Sequence, residues 1–247
     1  PIEPSPYLPI SRRFINFSYI RPESMPEYAV LSPEDKAKVD ELHEQVKPLN
    51  GNARILDRET MWRTKMQALW IIYKSGLSAQ RQAEFDQYLA EVGDEIESYA
   101  TWCLCYDKWG ASNGSDDDWV RKYNRDSEEV AQLRAQYPDT LEFYRWLEWV
   151  ATEQLHAAQQ AAREAGMKIG IVADMAVGVH PAGSDVWWNP ECFAPRRHGR
   201  RSAGHVQPAG SGLESAAAES NRSRTDRLQG VPRYGARHVL QCGRGTY

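Results

Sequence analysis

Asp174 closes the segment M-K-I-G-I-V-A-D, residues 167–174. Ile169, Ile171 and Val172 form a short apolar run of the kind buried on both faces of a parallel sheet. A carboxylate at the C-terminal end of such a strand lies where β/α barrels collect their chemistry. There it can take sugar hydroxyls or stabilise a developing cation. The structural alternative is an aspartate that caps the next turn. Downstream, G-S-D-V-W-W-N-P (residues 183–190) sets adjacent tryptophans beside an aspartate and an asparagine. An indole face can stack on an apolar ring face while the polar groups take hydroxyls. Asp185 and Trp187 are therefore candidates for carbohydrate contact, with core packing by one tryptophan as the alternative.

The other reactive types carry less. Cys103 and Cys105 form C-x-C, and Cys192 and Cys242 are distant in sequence. Zinc sites pair a C-x₂₋₄-C with a second ligand pair, and none is visible. Reduced thiols and no structural metal are the expectation. The triple aspartate 116–118 lacks the glycine and glutamate of a calcium loop and reads as solvated. No organic cofactor is implied.

The elements that must position these groups are mostly helical. Residues 1–31 hold six prolines interleaved with Tyr7, Phe14, Phe17, Tyr19 and Tyr28. Proline excludes long helices there, and the aromatics argue for a loop packed on something. Ser32 is an N-cap with Pro33 at the first helical position. Val39, Leu42 and Val46 share one face, and Pro48–Gly51 breaks that helix. A second helix is expected over about 57–74, with Met61, Met66, Leu69 and Ile72 at helical spacing. A third is expected over about 78–106. Lys108 to Asp118 is a polar loop. Leu141 to Ala165 carries the clearest pattern, and Gly166 stops it at the position that favours a left-handed residue. Helix, glycine and buried strand in succession make the αβ half of a barrel or doubly wound unit.

The net charge of −4 hides an asymmetry. Residues 1–195 carry 20 basic and 31 acidic side chains, while residues 196–247 carry 10 arginines, no lysine and 3 acids. All nine tryptophans and all five phenylalanines precede residue 196. No apolar run approaches the ~20 residues of a membrane span, and no secretory leader is seen, so a cytoplasmic protein with no membrane partner is expected. Residue 1 is proline and the first methionine is Met25, so the chain reads as a piece of a longer protein.

Residues 167–179, followed by G-S-D-V-W-W-N-P-E-C-F-A-P, resemble a conserved barrel segment of the 4-α-glucanotransferases (amylomaltases, or disproportionating enzymes). S-P-Y-L-P-I-S-R-R-F-I-N, Ser5 to Asn16, is similar to that family's loop S-P-Y-x-x-x-S-x-x-F-x-N. The helical insertion between them, with A-R-I-L-D at 53–57, looks like the bacterial members. The resemblance covers residues about 3–195. It implies a (β/α)₈ TIM barrel with helical insertions, incomplete in this chain. It also implies transfer of α-1,4-glucan segments to the 4-hydroxyl of an acceptor sugar by the retaining two-carboxylate route. Maltooligosaccharides are the implied partners, and the oligomeric state is open. Asp174 is implied in substrate binding or transition-state support, and Ser5 and Tyr7 in glucan contact. The family's nucleophile, in R-I-D-H, and its acid/base glutamate have no counterpart here. The chain alone is expected to be inactive, with no catalytic residue of its own.

After Pro195 the resemblance stops where charge and aromatic content change. Joining the second and third bases of each codon to the first of the next lets 196–220 be read as G-V-T-V-G-A-P-P-D-M-F-N-Q-Q-G-Q-D-W-S-Q-P-P-R-N-P. The family continues G-V-x-V-G-A-P-P-D-x-F-x-x-x-G-Q-x-W. A frameshift is therefore the expectation, with residues 196–247 an out-of-frame tail too poor in apolar residues to order. The expected organisation is a barrel-edge loop region at 1–31, a helical insertion at 32–166, a barrel strand and active-site loop at 167–195, and that disordered tail. The alternative is a non-enzymatic helical interaction module whose basic tail binds nucleic acid. That tail lacks the aromatics that stack on bases, so no nucleic-acid partner is expected.

Overall fold

The structure, a computed structural model, describes residues 8–51, 54, 56–112, 117–174 and 176–193. The expectations for residues 196–247, Ser5 and Tyr7 lie outside them. In order, the α-helices are α1 Pro26–Ala29, α2 Pro33–Val46, α3 Arg58–Lys74, α4 Ala79–Val92, α5 Asp94–Trp109, α6 Trp119–Lys122, α7 Glu128–Gln136, α8 Pro138–Glu164 and α9 Ser184–Trp188.

Local chemistry explains most of the boundaries. The Ser32 hydroxyl accepts the Asp35 amide at 3.1 Å, and Pro33 opens α2. Asp57 accepts the Thr60 amide at 3.0 Å and so caps α3; that bond holds its carboxyl below the usual range. The helix expected over 78–106 is two helices, α4 and α5. The break is Gly93, whose φ of +60° suits glycine and ends the helical hydrogen bonding. Gly166, at φ +94°, ends α8 as expected. That helix starts at Pro138, ahead of the expected Leu141, because proline is well placed at the first helical position.

The core lies between α5 and α8, with α2 packed along α3 and with α3, α4 and α7 also against α8. Ile96, Tyr99, Ala100, Trp102 and Leu104 of α5 are buried beside Leu141, Phe143, Trp146, Leu147 and Val150 of α8. The proline-rich N-terminal segment is inserted into this core. Phe17 and Ile20 are buried, Phe14 stacks on Tyr99 at 4.5 Å, and the Ile15 amide donates to the Glu148 carboxylate at 3.0 Å.

The strand expected near Lys168–Asp174 is corrected: no strand occurs among the described residues. A parallel strand satisfies its backbone only through neighbours, and the described residues supply none. Ile169, Val172 and Val177 are 64%, 76% and 75% exposed. What fixes the segment is Gln159 of α8, whose amide donates to the Ile169 carbonyl at 3.1 Å and accepts from the Ile171 amide at 2.6 Å. Gly170 between them has φ +82°, and a Cβ there would lie 2.6 Å from the Gln159 amide.

An exposed apolar stretch held by a side chain, outside any sheet among the described residues, invites self-pairing. The chain is expected to self-associate with rising concentration. Ile169→Lys combined with Val172→Lys should suppress this, leaving far-ultraviolet helicity unchanged. Sedimentation velocity across a hundredfold concentration range checks it, and a monomeric wild type would contradict it.

Candidate functional site

The N-terminal segment and the segment after Asp174, about 170 residues apart in sequence, lie against each other. The His180 amide donates to the Pro9 carbonyl at 2.8 Å, and the Arg12 guanidinium donates to the Val177 carbonyl at 3.1 Å. Asp185, in the first turn of α9, is the hub. Its Oδ1 accepts the Ser11 hydroxyl at 2.8 Å and Arg13 Nε at 3.2 Å, and its Oδ2 accepts the Arg12 amide at 2.9 Å. The contact is close at backbone level, since a Cβ on Gly183 would lie 2.4 Å from the Ile10 carbonyl oxygen.

The expected site residues separate in this arrangement. Asp174 is exposed, on the irregular segment that Gln159 anchors. Asp185 is buried, and the N-terminal segment engages both of its oxygens. Trp187 is buried as well. Its Nε1 donates to the Tyr123 carbonyl at 2.8 Å, and its ring meets Trp119 edge-on at 5.7 Å. Trp187 thus packs in the core and presents no open face to a sugar ring. Trp188 is half-buried under the Arg125 guanidinium, which also donates to its carbonyl at 2.9 Å. The sequence reading missed Ser11, Arg13, Tyr123 and Arg125. The side-chain donors Ser11 and Arg13 are the only sequence signal for the acceptor, since Arg12 reaches Asp185 through its backbone amide.

A cavity of about 370 Å³ lies elsewhere, between α2, α3 and residues 19–23. It is lined by Tyr28, Val39, Leu42, Met61 and Lys65 among others, and by none of the expected site residues. Of the triple aspartate, Asp118 is buried, accepts the Val120 amide and the Ser112 hydroxyl, and caps α6. Among the described residues no group of three or more His, Cys, Asp or Glu side chains could hold a metal ion.

Cys103 and Cys105 are free and buried. Cys192 is disulfide-bonded, which corrects the expectation of a reduced thiol there. Burial, with the nearby Glu148 charge, raises the Cys103 thiol, and burial pushes Cys105 up to about 12. In the unfolded chain both would ionise near about pH 8.5, while in the folded chain they keep their protons. Above that pH the unfolded state binds fewer protons, so stability falls as pH rises. The expected slope is about 1.4 kcal/mol per pH unit for each thiol. Urea unfolding at pH 7.5, 9 and 10 measures it. Peptide-resolved alkylation at pH 8 should leave both residues unlabelled until the chain unfolds.

The sequence model of the 4-alpha-glucanotransferase family matches residues 1–211. The chain belongs to that family. The 4-alpha-glucanotransferase of Mycobacterium tuberculosis is 38% identical over 191 residues, covering 76% of this chain and 25% of the relative. That of Haemophilus influenzae is 24% identical over 204 residues, covering 29% of its length. Among solved structures, the amylomaltase from Corynebacterium glutamicum superposes with a TM-score of 0.60 at 35% identity, over 74% of this chain and 24% of that one. The chain thus spans about a quarter of the length of these relatives. The amylomaltase neighbour supports a TIM-barrel family, although the described part of this chain is mainly helical. The family match runs to residue 211, past Pro195.

Proposed function

We propose that the protein to which this chain belongs is a 4-α-glucanotransferase acting on maltooligosaccharides and related α-glucans. The observation that carries the reading is the family match over residues 1–211. In the proposed reaction a carboxylate attacks the anomeric carbon of an α-1,4-linked glucose while an acid protonates the departing glycosidic oxygen. The same acid, now a base, takes the proton from an acceptor's 4-hydroxyl as that oxygen displaces the enzyme carboxylate. Two inversions give net retention.

In this proposal Asp174 faces the sugar at the reacting end, and Ser5 and Tyr7 contact glucan from the N-terminal loop. The geometry at Asp185 and Trp187 favours support of the site over direct sugar contact. The R-I-D-H motif and the acid/base glutamate do not occur in the 247 residues, so turnover requires sequence beyond them. The reading frame is proposed to break near Pro195. The family match running on to residue 211 weighs against a sharp break at that point, and resequencing across codons 195–211 decides the matter. A cytoplasmic location is part of the same proposal, to be checked by cell fractionation. Among the described residues no helix is long and apolar enough to cross a membrane.

The test is maltotriose disproportionation, followed as glucose release. The 247-residue chain should give none, and the protein with its frame restored should turn over. Turnover by the short chain would refute the need for the missing carboxylates. An inactive restored protein, folded by circular dichroism, would refute the activity.

A further inference from the structure

We infer that Asp185 is a positioning residue for glucan transfer: one buried carboxylate fixes residues 11–13 against the segment that follows Asp174. The inference rests on the proposed glucanotransferase reading and assigns Asp185 a role in it without sugar contact.

The carboxylate is 7% exposed, so its three hydrogen bonds come from protein donors in a shielded place. All three come from Ser11, Arg12 and Arg13. These lie on the N-terminal segment whose Pro9 carbonyl and Arg12 guanidinium are bonded to His180 and Val177. On the other side, Asp185 opens α9, whose lead-in from Val177 to Gly183 is bonded to Pro9 and Arg12. The Ser184 hydroxyl adds a long bond to the Ile10 carbonyl at 3.4 Å. Asp185 thus joins residues 9–13 to the stretch that runs from Val177, three residues beyond Asp174, into α9.

A carboxylate suits this task where an amide does not. Two of its donors converge on Oδ1 and the third on Oδ2, and one of them is a guanidinium, which strengthens the set. An asparagine would offer one acceptor oxygen and turn an NH₂ toward at least one donor. The expected outcome is a loosened contact between residues 9–13 and 177–185 around an intact helical core. A misplacement of about 1 Å at a reacting site costs on the order of a hundredfold in rate.

The experiment has two arms. In the first, hydrogen exchange is followed on the 247-residue chain. Asp185→Asn should speed exchange of the Arg12 and His180 amides at least tenfold, while α8 amides are unchanged. Ser11→Ala, which removes one donor, should give the same pattern more weakly. Unchanged exchange at Arg12 and His180 overturns the inference. So does equal acceleration throughout α8, which would mean a general structural role. In the second arm, the frame-restored protein is assayed on maltotriose. Asp185→Asn should lower kcat/KM about a hundredfold, with Asp185→Glu recovering part of the loss. Full kcat/KM in both Asp185→Asn and Ser11→Ala overturns the inference while the wild type is active. An inactive wild type would instead refute the glucanotransferase reading, and the exchange arm would still test the placement of residues 9–13.

Discussion

Arg81→Met is expected to destabilise the helical region by about 3–5 kcal/mol, the range seen when one partner of a buried ion pair is removed. The Arg81 side chain is 14% exposed and binds three carboxylates. Nε donates to Glu27 at 2.7 Å, the two terminal nitrogens each reach Glu153 at 2.7 Å, and one of them also reaches Glu84 at 2.9 Å. The guanidinium lies over the Trp149 ring, 4.0 Å from its centroid. Burial works against its charge, but the bonds to Glu153 and Glu27 outweigh this and raise its pKa. The exposed Glu84 contact contributes little. Glu27 decides the size of the effect. It is buried, its Oε2 has no hydrogen-bond partner, and Arg81 is its ion-pair partner. Methionine would fill much of the volume but leave that carboxylate buried and uncompensated. Glu27→Gln in the Arg81→Met background should recover part of the loss. Urea denaturation of the single and double variants measures both values. A loss below about 1 kcal/mol for Arg81→Met would mean that Glu27 finds water when its partner is removed.

The helices were legible in the sequence wherever a local signal sufficed. Ser32 with Pro33 starts a helix as its type demands, and the helix expected over about 57–74 is found at Arg58–Lys74. The split at Gly93 was not legible, because the apolar spacing continues across it and one glycine inside a helical pattern is often tolerated. The apolar run at 169–172 reads as a strand, yet a strand's existence depends on neighbours that no local pattern contains. The same distinction runs through the site. Asp185 and Trp187 were recognised as unusual from their company, Asp beside Trp-Trp-Asn. What they do depends on Ser11 and Tyr123, which lie 174 and 64 residues away. A polar residue beside aromatics looks alike in a sugar platform and in a satisfied core. Only the direction of its hydrogen bonds separates the two.

In the frame-restored protein, Asp174→Ala is expected to lower maltotriose disproportionation by about a hundred- to a thousandfold, the cost of losing one group aimed at charge developing in a transition state. Asp174 is exposed, and the residues preceding it are held by backbone bonds to Gln159. In the 247-residue chain, removing its side chain therefore creates no cavity and strands no buried partner, and the stability of that chain should stay within about 0.5 kcal/mol of wild type. Circular dichroism of the frame-restored variant completes the test, because a loss of rate without a loss of fold assigns the effect to the chemistry. The oxocarbenium-like transition state carries positive charge that the ground-state sugar lacks, so a nearby carboxylate binds it better than it binds substrate. The loss should accordingly fall mainly on kcat, with KM for maltotriose changed little. Asp174→Asn, which keeps the shape and removes the charge, should fall nearly as far as alanine if charge is what matters. If asparagine is close to wild type, Asp174 serves as a hydrogen-bond partner for a hydroxyl. If alanine is fully active, Asp174 has no part in transfer. In the 247-residue chain the same substitution should change no rate, because without the nucleophile there is no glycosyl intermediate for Asp174 to help form.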